Sequence, residues 1–151
     1  MDKLVLVFKS IRVGQWVKNV VVFAPIIFSG FLFVPGYFGK VLWAFSLFCL
    51  LSSAIYLFND VIDIKSDRLH TFKKNRPIAS GKLAVEYAIF LFLLLSGLSL
   101  WLGLMTSTFF FVSMGVYFVM NILYSLWLKQ IPILDVFVIA AGFILRIYAG
   151  S

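Results

Sequence analysis

Apolar residues run through this chain in long blocks, and polar residues gather in the gaps between them. A bilayer core takes roughly 20 mostly apolar residues as one helix. By that measure five spans are expected. The first covers residues 20–34, begun near Trp16, with Pro25 inside it. The second covers 41–58, the third 83–105 with Glu86 as its one charge, and the fourth 109–127. The fifth starts near Pro132 and reaches the last residue. Pro25 removes a backbone donor and is expected to kink the first helix. Pro35-Gly36, Thr106-Ser107-Thr108 and Lys129-Gln130-Ile131-Pro132 read as turns, with Pro132 at a helix start. The expected fold class is all-α: a polytopic transmembrane helical bundle, one domain over residues 1–151.

Composition strengthens this picture. Of 151 residues 63% are hydrophobic and 13% charged, against about a quarter charged in soluble domains. Too little polar side chain remains to cover a water-soluble surface. The net charge of +7 raises nucleic acid as a partner. Most Lys and Arg flank apolar runs, however, which is a topology pattern, so no nucleic acid is expected. The single Cys49 permits no intrachain disulfide and no thiolate metal site. The N-terminus lacks the core and cleavage site of a secretory signal. Residues 4–8, with Lys9 and Arg12, read as an amphipathic segment on the membrane surface, or else as a cytosolic tail.

Orientation follows from the cations. Lys3, Lys9, Arg12 and Lys18 flank the first span, and Lys65, Arg68, Lys73, Lys74, Arg76 and Lys82 lie within 59–82. The positive-inside rule places both segments in the cytoplasm, joined by one excursion out and back. The uncharged turn at 106–108 then faces outward and Lys129 inward, and Lys40 alone goes against the pattern. A last span that runs to Ser151 suggests that more chain follows.

The second span runs into Asn59, Asp60, Asp63 and Asp67. If the helix continues, these carboxylates share one face at spacings of three and four. Like charges gathered this way call for a counter-ion. Mg²⁺ commonly joins a few carboxylates to a substrate phosphate. A helix end that merely solubilises itself explains any one Asp, but not the shared face. An EF-hand is excluded, because its glycine and distal Glu are missing. A glycosidase-like acid and base pair is a further possibility. Arg68, Lys73, Lys74, Arg76 and Lys82 follow at once and favour a phosphate-bearing substrate. Topology charge alone is the plainer account of that run. Pro77 and Gly81 are expected to hold the loop in place, and His70 to be solvated or to touch phosphate.

The pattern N-D-x-x-D-x-x-x-D-R at 59–68, followed by H-x-x-K-x-x-R-P-I-A-S-G at 70–81, resembles the first aspartate-rich motif of the UbiA superfamily of intramembrane prenyltransferases. R-V-G-Q-W-V-K-N at 12–19 and F-A-P at 23–25 are similar to its bacterial decaprenyl-phosphate phosphoribosyltransferase branch. So are Asn121, Tyr124-Ser125, Leu128-Lys129, Pro132, Asp135-Val136, Gly142-Phe143, Arg146 and Ala149-Gly150. The likeness covers nearly the whole chain. Thr71, where Pro is common, and Lys74, where Arg is common, depart mildly from it.

The resemblance implies an all-helical fold of about nine transmembrane helices in a bacterial inner (plasma) membrane. Two facing Asp-rich motifs hold Mg²⁺ and diphosphate across a central cavity. Only the first motif lies within these residues, so the chain looks like the N-terminal half of such an enzyme. The donor it implies is 5-phosphoribosyl diphosphate and the acceptor a polyprenyl (decaprenyl) phosphate, on the way to cell-wall arabinan. Asp60, Asp63 and Asp67 are the expected metal ligands and catalytic carboxylates. Lys18, Asn59, Arg68, Lys73, Lys74, Arg76, Tyr124, Lys129, Asp135 and Arg146 are candidates for substrate contact. Snorkelling to the interface is the alternative for Lys18 and Lys129. Arg146 lies eleven residues beyond Asp135, about 16 Å along a helix, where it must point into a bundle or cavity.

Three alternatives stand beside this reading: prenyl transfer from a prenyl diphosphate to an aromatic acceptor, an inactive truncation or non-catalytic membrane subunit, and a transporter. The last lacks the usual inverted repeats. Expected partners are membrane lipid, the two substrates, and either the missing C-terminal half or a second copy of the chain.

Overall fold

The computed structural model describes residues 3–151, with the side chains of Lys3, Gln130 and Pro132 excepted; the flank charge of Lys3 lies outside the described side chains. Among the described residues every regular element is helical. Helix α1 (Lys3–Ser10) is followed by a 3₁₀ stretch (Val13–Phe23) that runs into α2 (Ala24–Phe28). The long α3 (Tyr37–Ile62) leads through Asp63 into the short α4 (Ile64–Leu69). Helices α5 (Val85–Thr106) and α6 (Thr108–Leu126) form a hairpin, and α7 (Pro132–Ala149) closes the bundle.

Helix α3 is the central post, packed against α5, α6 and the 3₁₀ stretch. Its Leu47, Phe48 and Leu51 meet Phe110, Met114 and Tyr117 of α6, with Val22 and Ile26 closing the other side. Phe48 lies edge-on to Phe110 and Tyr117, at 6.0 and 5.4 Å between ring centres. Helix α5 shows how a membrane bundle inverts soluble patterning. Its buried positions are all small (Ala88, Ser96, Ser99, Gly103), while Phe90, Leu93, Leu98 and Trp101 are exposed. Lipid solvates large apolar side chains as well as a core does, so close backbone approach drives the packing. The buried serines return their hydroxyls to their own helix, as Ser96 does to the Phe92 carbonyl at 2.6 Å.

The turns fall where the sequence places them. Ser107 is extended and its hydroxyl accepts from the Phe110 amide at 3.1 Å, capping α6. Gly81 takes φ +75° at the end of the 77–81 loop, a conformation glycine adopts without strain.

Two expectations need correction. Three helices (α3, α5 and α6) are long and apolar enough to cross a membrane among the described residues, or up to four if a bent pair counts as one span, and not five. Helix α7 has 18 residues, with Asp135 and Arg146 among them, and Pro132 at its start lies outside the described side chains, so α7 does not count among the three. The expected first span is no continuous α-helix. Its bend, 48° between Leu4–Ser10 and Val13–Phe28, comes ahead of the 3₁₀ stretch, and Pro25 sits in the first turn of α2 rather than kinking a helix interior. Arg12 carries the break, with φ +51° and ψ +54°. A 3₁₀ helix rises about 2.0 Å per residue, so Val13–Phe23 extends about 22 Å, further than the same residues would as α-helix. It runs antiparallel to α3, with Trp16 on Ser53, Asn19 on Ser52 and Phe23 on Phe45.

Candidate active site

Acidic and basic side chains meet where α3 gives way to α4. Asp60, in the last turn of α3, and Asp67, in α4, are each 2% exposed. Arg76 reaches in from the loop and bridges them, its Nη1 lying 2.6 Å from Asp67 Oδ2 and 3.2 Å from Asp60 Oδ1. Arg12 donates to the same Asp60 oxygen and rests on the Tyr56 ring, 4.8 Å from its centre. Two buried carboxylates thus share two partly exposed guanidinium groups.

The expected single acidic face is modified. Helix α3 closes at Ile62, and Asp63 (φ −87°, ψ 5°) is the joint between α3 and α4. Asp63 pairs instead with Lys129 of the turn before α7. Among the described residues no three His, Cys, Asp or Glu side chains converge as a ready metal site. The donor chemistry nevertheless suits Mg²⁺: two buried carboxylates stand beside Asn59, whose buried Oδ1 has no hydrogen-bond partner.

The other predicted residues divide by position. Arg68 donates from Nε to the Ala79 carbonyl at 3.0 Å and pins the loop, a structural contact. Lys73 and Lys74 are exposed in a 3₁₀ turn whose start is held by His70, its Nδ1 accepting the Phe72 amide at 3.2 Å. Tyr124 donates to Asp135 at 2.6 Å and ties α6 to α7.

Deeper in the bundle, Arg146 is 7% exposed. Its Nε donates to Asn19 Oδ1 at 2.7 Å, Nη1 to the Gly142 carbonyl at 2.9 Å and Nη2 to the Tyr117 hydroxyl at 2.7 Å. It faces a cavity of about 270 Å³ whose wall also includes Lys18, Tyr56, Asn121, Tyr124 and Phe143. Tyr56 joins the two regions, since it lines the cavity and also supports Arg12 beside Asp60.

Sequence reasoning did not select Arg12, Tyr56, Asn19 or Tyr117 as site residues. Arg12 and Asn19 bound the R-V-G-Q-W-V-K-N stretch, which was the available signal. Tyr56 and Tyr117 lie inside apolar helices and carry none.

Residues 19–151 match the UbiA prenyltransferase family. The chain is 37% identical over 147 residues to a decaprenyl-phosphate phosphoribosyltransferase of Corynebacterium glutamicum, covering 95% of this chain and 44% of that protein. It is 36% identical to the one of Mycolicibacterium smegmatis, covering 95% and 46%. The chain thus spans about half the length of these relatives. In fold it is similar to a UbiA homologue of Archaeoglobus fulgidus solved with DMAPP and Mg²⁺, with a TM-score of 0.79 and 22% identity over 95% of this chain and 52% of that one. The helical bundle, the aspartate-rich joint and the matched residues together show that this chain belongs to the UbiA prenyltransferase family.

Proposed function

We propose that the chain forms the donor-binding part of a phosphoribosyltransferase that moves a 5-phosphoribosyl group from 5-phosphoribosyl diphosphate to a polyprenyl phosphate. The observation that carries the reading is the buried Asp60–Arg76–Asp67 cluster, with Asn59 beside it, in a chain this similar to such enzymes. Asp60, Asp67 and Asn59 are the proposed holders of Mg²⁺, with Asp63 joining when it leaves Lys129. Bound there, Mg²⁺ supplies charge neutralisation for a departing diphosphate.

This chain's own residues do the rest. Arg12 and Arg76 already stand at the carboxylates and can turn to diphosphate oxygens, for which a guanidinium fork is suited. Lys73 and Lys74 attract the anionic donor from the exposed side of the loop. The acceptor phosphate is an anion already, so attack on the anomeric carbon needs no strong general base. The site faces the cytoplasm, by the cation distribution. The matched relatives are about twice as long, and on this reading further polypeptide, of the same chain or of a partner, would enclose the donor.

The test is phosphoribosyl transfer in membranes of cells expressing the protein from its native gene, with labelled donor, polyprenyl phosphate and Mg²⁺. Transfer is expected to fall at least about a hundredfold in Asp60→Asn, the scale on which electrostatic stabilisation of a leaving group acts. Transfer of label from a prenyl diphosphate instead would move the assignment to prenyl transfer.

A further inference from the structure

Three carboxylates stand at the joint between α3 and α4, and each faces a cation. Asp60 faces Arg12 and Arg76, Asp67 faces Arg76, and Asp63 faces Lys129. Asp60 and Asp67 are buried, while the side chains of Asp63 and Lys129 are 22% and 24% exposed. The Asp63–Lys129 pair is therefore the one most screened by solvent and the easiest to open. It also has the longest reach of the three along the chain, 66 residues, from the turn between α6 and α7. Asp135 lies closer to Lys129 in the sequence, and it accepts the Tyr124 hydroxyl instead.

The backbone at Asp63 is fixed. Its amide donates to the Asn59 carbonyl at 2.9 Å, and its carbonyl accepts from the Asp67 amide at 2.8 Å and the Ser66 hydroxyl at 2.9 Å. The hydrogen-bond ladder thus runs through the joint, and only the Asp63 side chain is free to change partner. One turn before it on the same face stands Asn59, whose buried Oδ1 has no hydrogen-bond partner among the described residues. A hard divalent cation seeks that kind of oxygen, with carboxylate oxygens beside it. The Lys129 ammonium holds the Asp63 carboxylate that such a cation would draw in.

We propose that Lys129 is the resident counter-ion of Asp63 and competes with a divalent cation for it, a positioning residue that acts through that carboxylate. While the pair is closed, the resting site offers Asn59, Asp60 and Asp67 only, and holds metal weakly. When the pair opens, Asp63 joins them as a third carboxylate. The inference rests on the metal-holding part of the proposed function, and not on which donor the enzyme uses.

The test is binding of Mn²⁺ alone, a divalent cation of the same oxygen preference, to the protein expressed from its native gene and purified. Free Mn²⁺ is followed by electron paramagnetic resonance. Lys129→Gln is expected to tighten binding about two- to fivefold, the scale of a partly exposed ion pair. Lys129→Arg keeps the charge and is expected to restore the original affinity. In an Asp63→Asn background Lys129→Gln should change nothing, which isolates the pair. Lys65 is an exposed cation two residues from Asp63, and Lys65→Gln is expected to leave binding unchanged. Unchanged or weakened binding in Lys129→Gln overturns the proposal. So does equal tightening in Lys65→Gln, which would make the effect one of general charge, and so does a lack of Mn²⁺ binding in every form. Tightening in a protein that transfers no phosphoribosyl group upholds the competition and sinks the reaction. Transfer with an Mn²⁺ affinity unmoved by Lys129→Gln does the reverse.

Discussion

Arg76 stands between two carboxylates that the fold has taken almost wholly out of solvent. Removing one partner of a buried ion pair costs about 3–5 kcal/mol, because the other charge is left uncompensated. Arg76 is itself a quarter exposed and Arg12 still reaches Asp60, so Arg76→Met is expected near the lower end of that range. Thermal unfolding in detergent checks it: a clear fall in Tm is expected, and an unchanged Tm would mean that water already screens the pair. Arg12 is a second case. It holds a left-handed backbone unusual for a side chain with a Cβ, and that conformation aims its guanidinium at Asp60 across the Tyr56 ring. Strain of this kind persists only where the surroundings over-determine it, as at sites.

Two glycines show how differently the helices tolerate added bulk. A Cβ on Gly150, at the end of α7, would lie 1.9 Å from the Val22 carbonyl oxygen and 2.9 Å from its carbon. That neighbour is backbone and cannot turn aside, so α7 must move off the 3₁₀ stretch. The Arg146–Asn19 hydrogen bond spans the same junction and is lost with it. A Cβ on Gly103 would meet Met114 Sδ at 2.9 Å, the far part of a flexible side chain. Gly150→Ala is therefore expected to cost at least the 1–3 kcal/mol typical of overpacking, roughly, and Gly103→Ala under about 1 kcal/mol. Paired unfolding curves decide it. Equal losses would show that the α7 end is loosely seated.

Across the whole molecule, the two ends of the bundle have opposite characters. Helix α3 has 26 residues, about 39 Å, which separates Lys40 in its first turn from Asp60 in its last. Trp43 donates to Thr106 at 3.0 Å at one end, and Asp60, Asp63, Arg76 and Lys129 cluster at the other. The charged end is expected in the cytoplasm. In a Cys49→Ser background, Lys40→Cys should react with an impermeant thiol reagent in intact cells, and Lys73→Cys only after the membrane is opened. The opposite pattern would reverse the orientation and place the site outside.

Much of this was legible in the sequence, because a membrane constrains a chain locally. Each spanning helix must satisfy its own backbone in lipid, so length and apolarity alone announced α3, α5 and α6. Turn chemistry at Ser107 and Gly81, and the spacing of Asp60 and Asp67, are likewise short-range properties. The tertiary structure decided what depends on partners distant in the chain. It turned the first segment into a 3₁₀ stretch laid along α3, set Asp63 against Lys129 rather than beside Asp60, and brought Arg12 onto Asp60 across 48 residues. It also enclosed Arg146 among Asn19, Tyr117 and Gly142. The hydrophobic pattern sets which side chains leave water. Which charge a buried guanidinium or carboxylate then meets is settled by packing, because in a low-dielectric interior only groups brought within a few ångströms can compensate it.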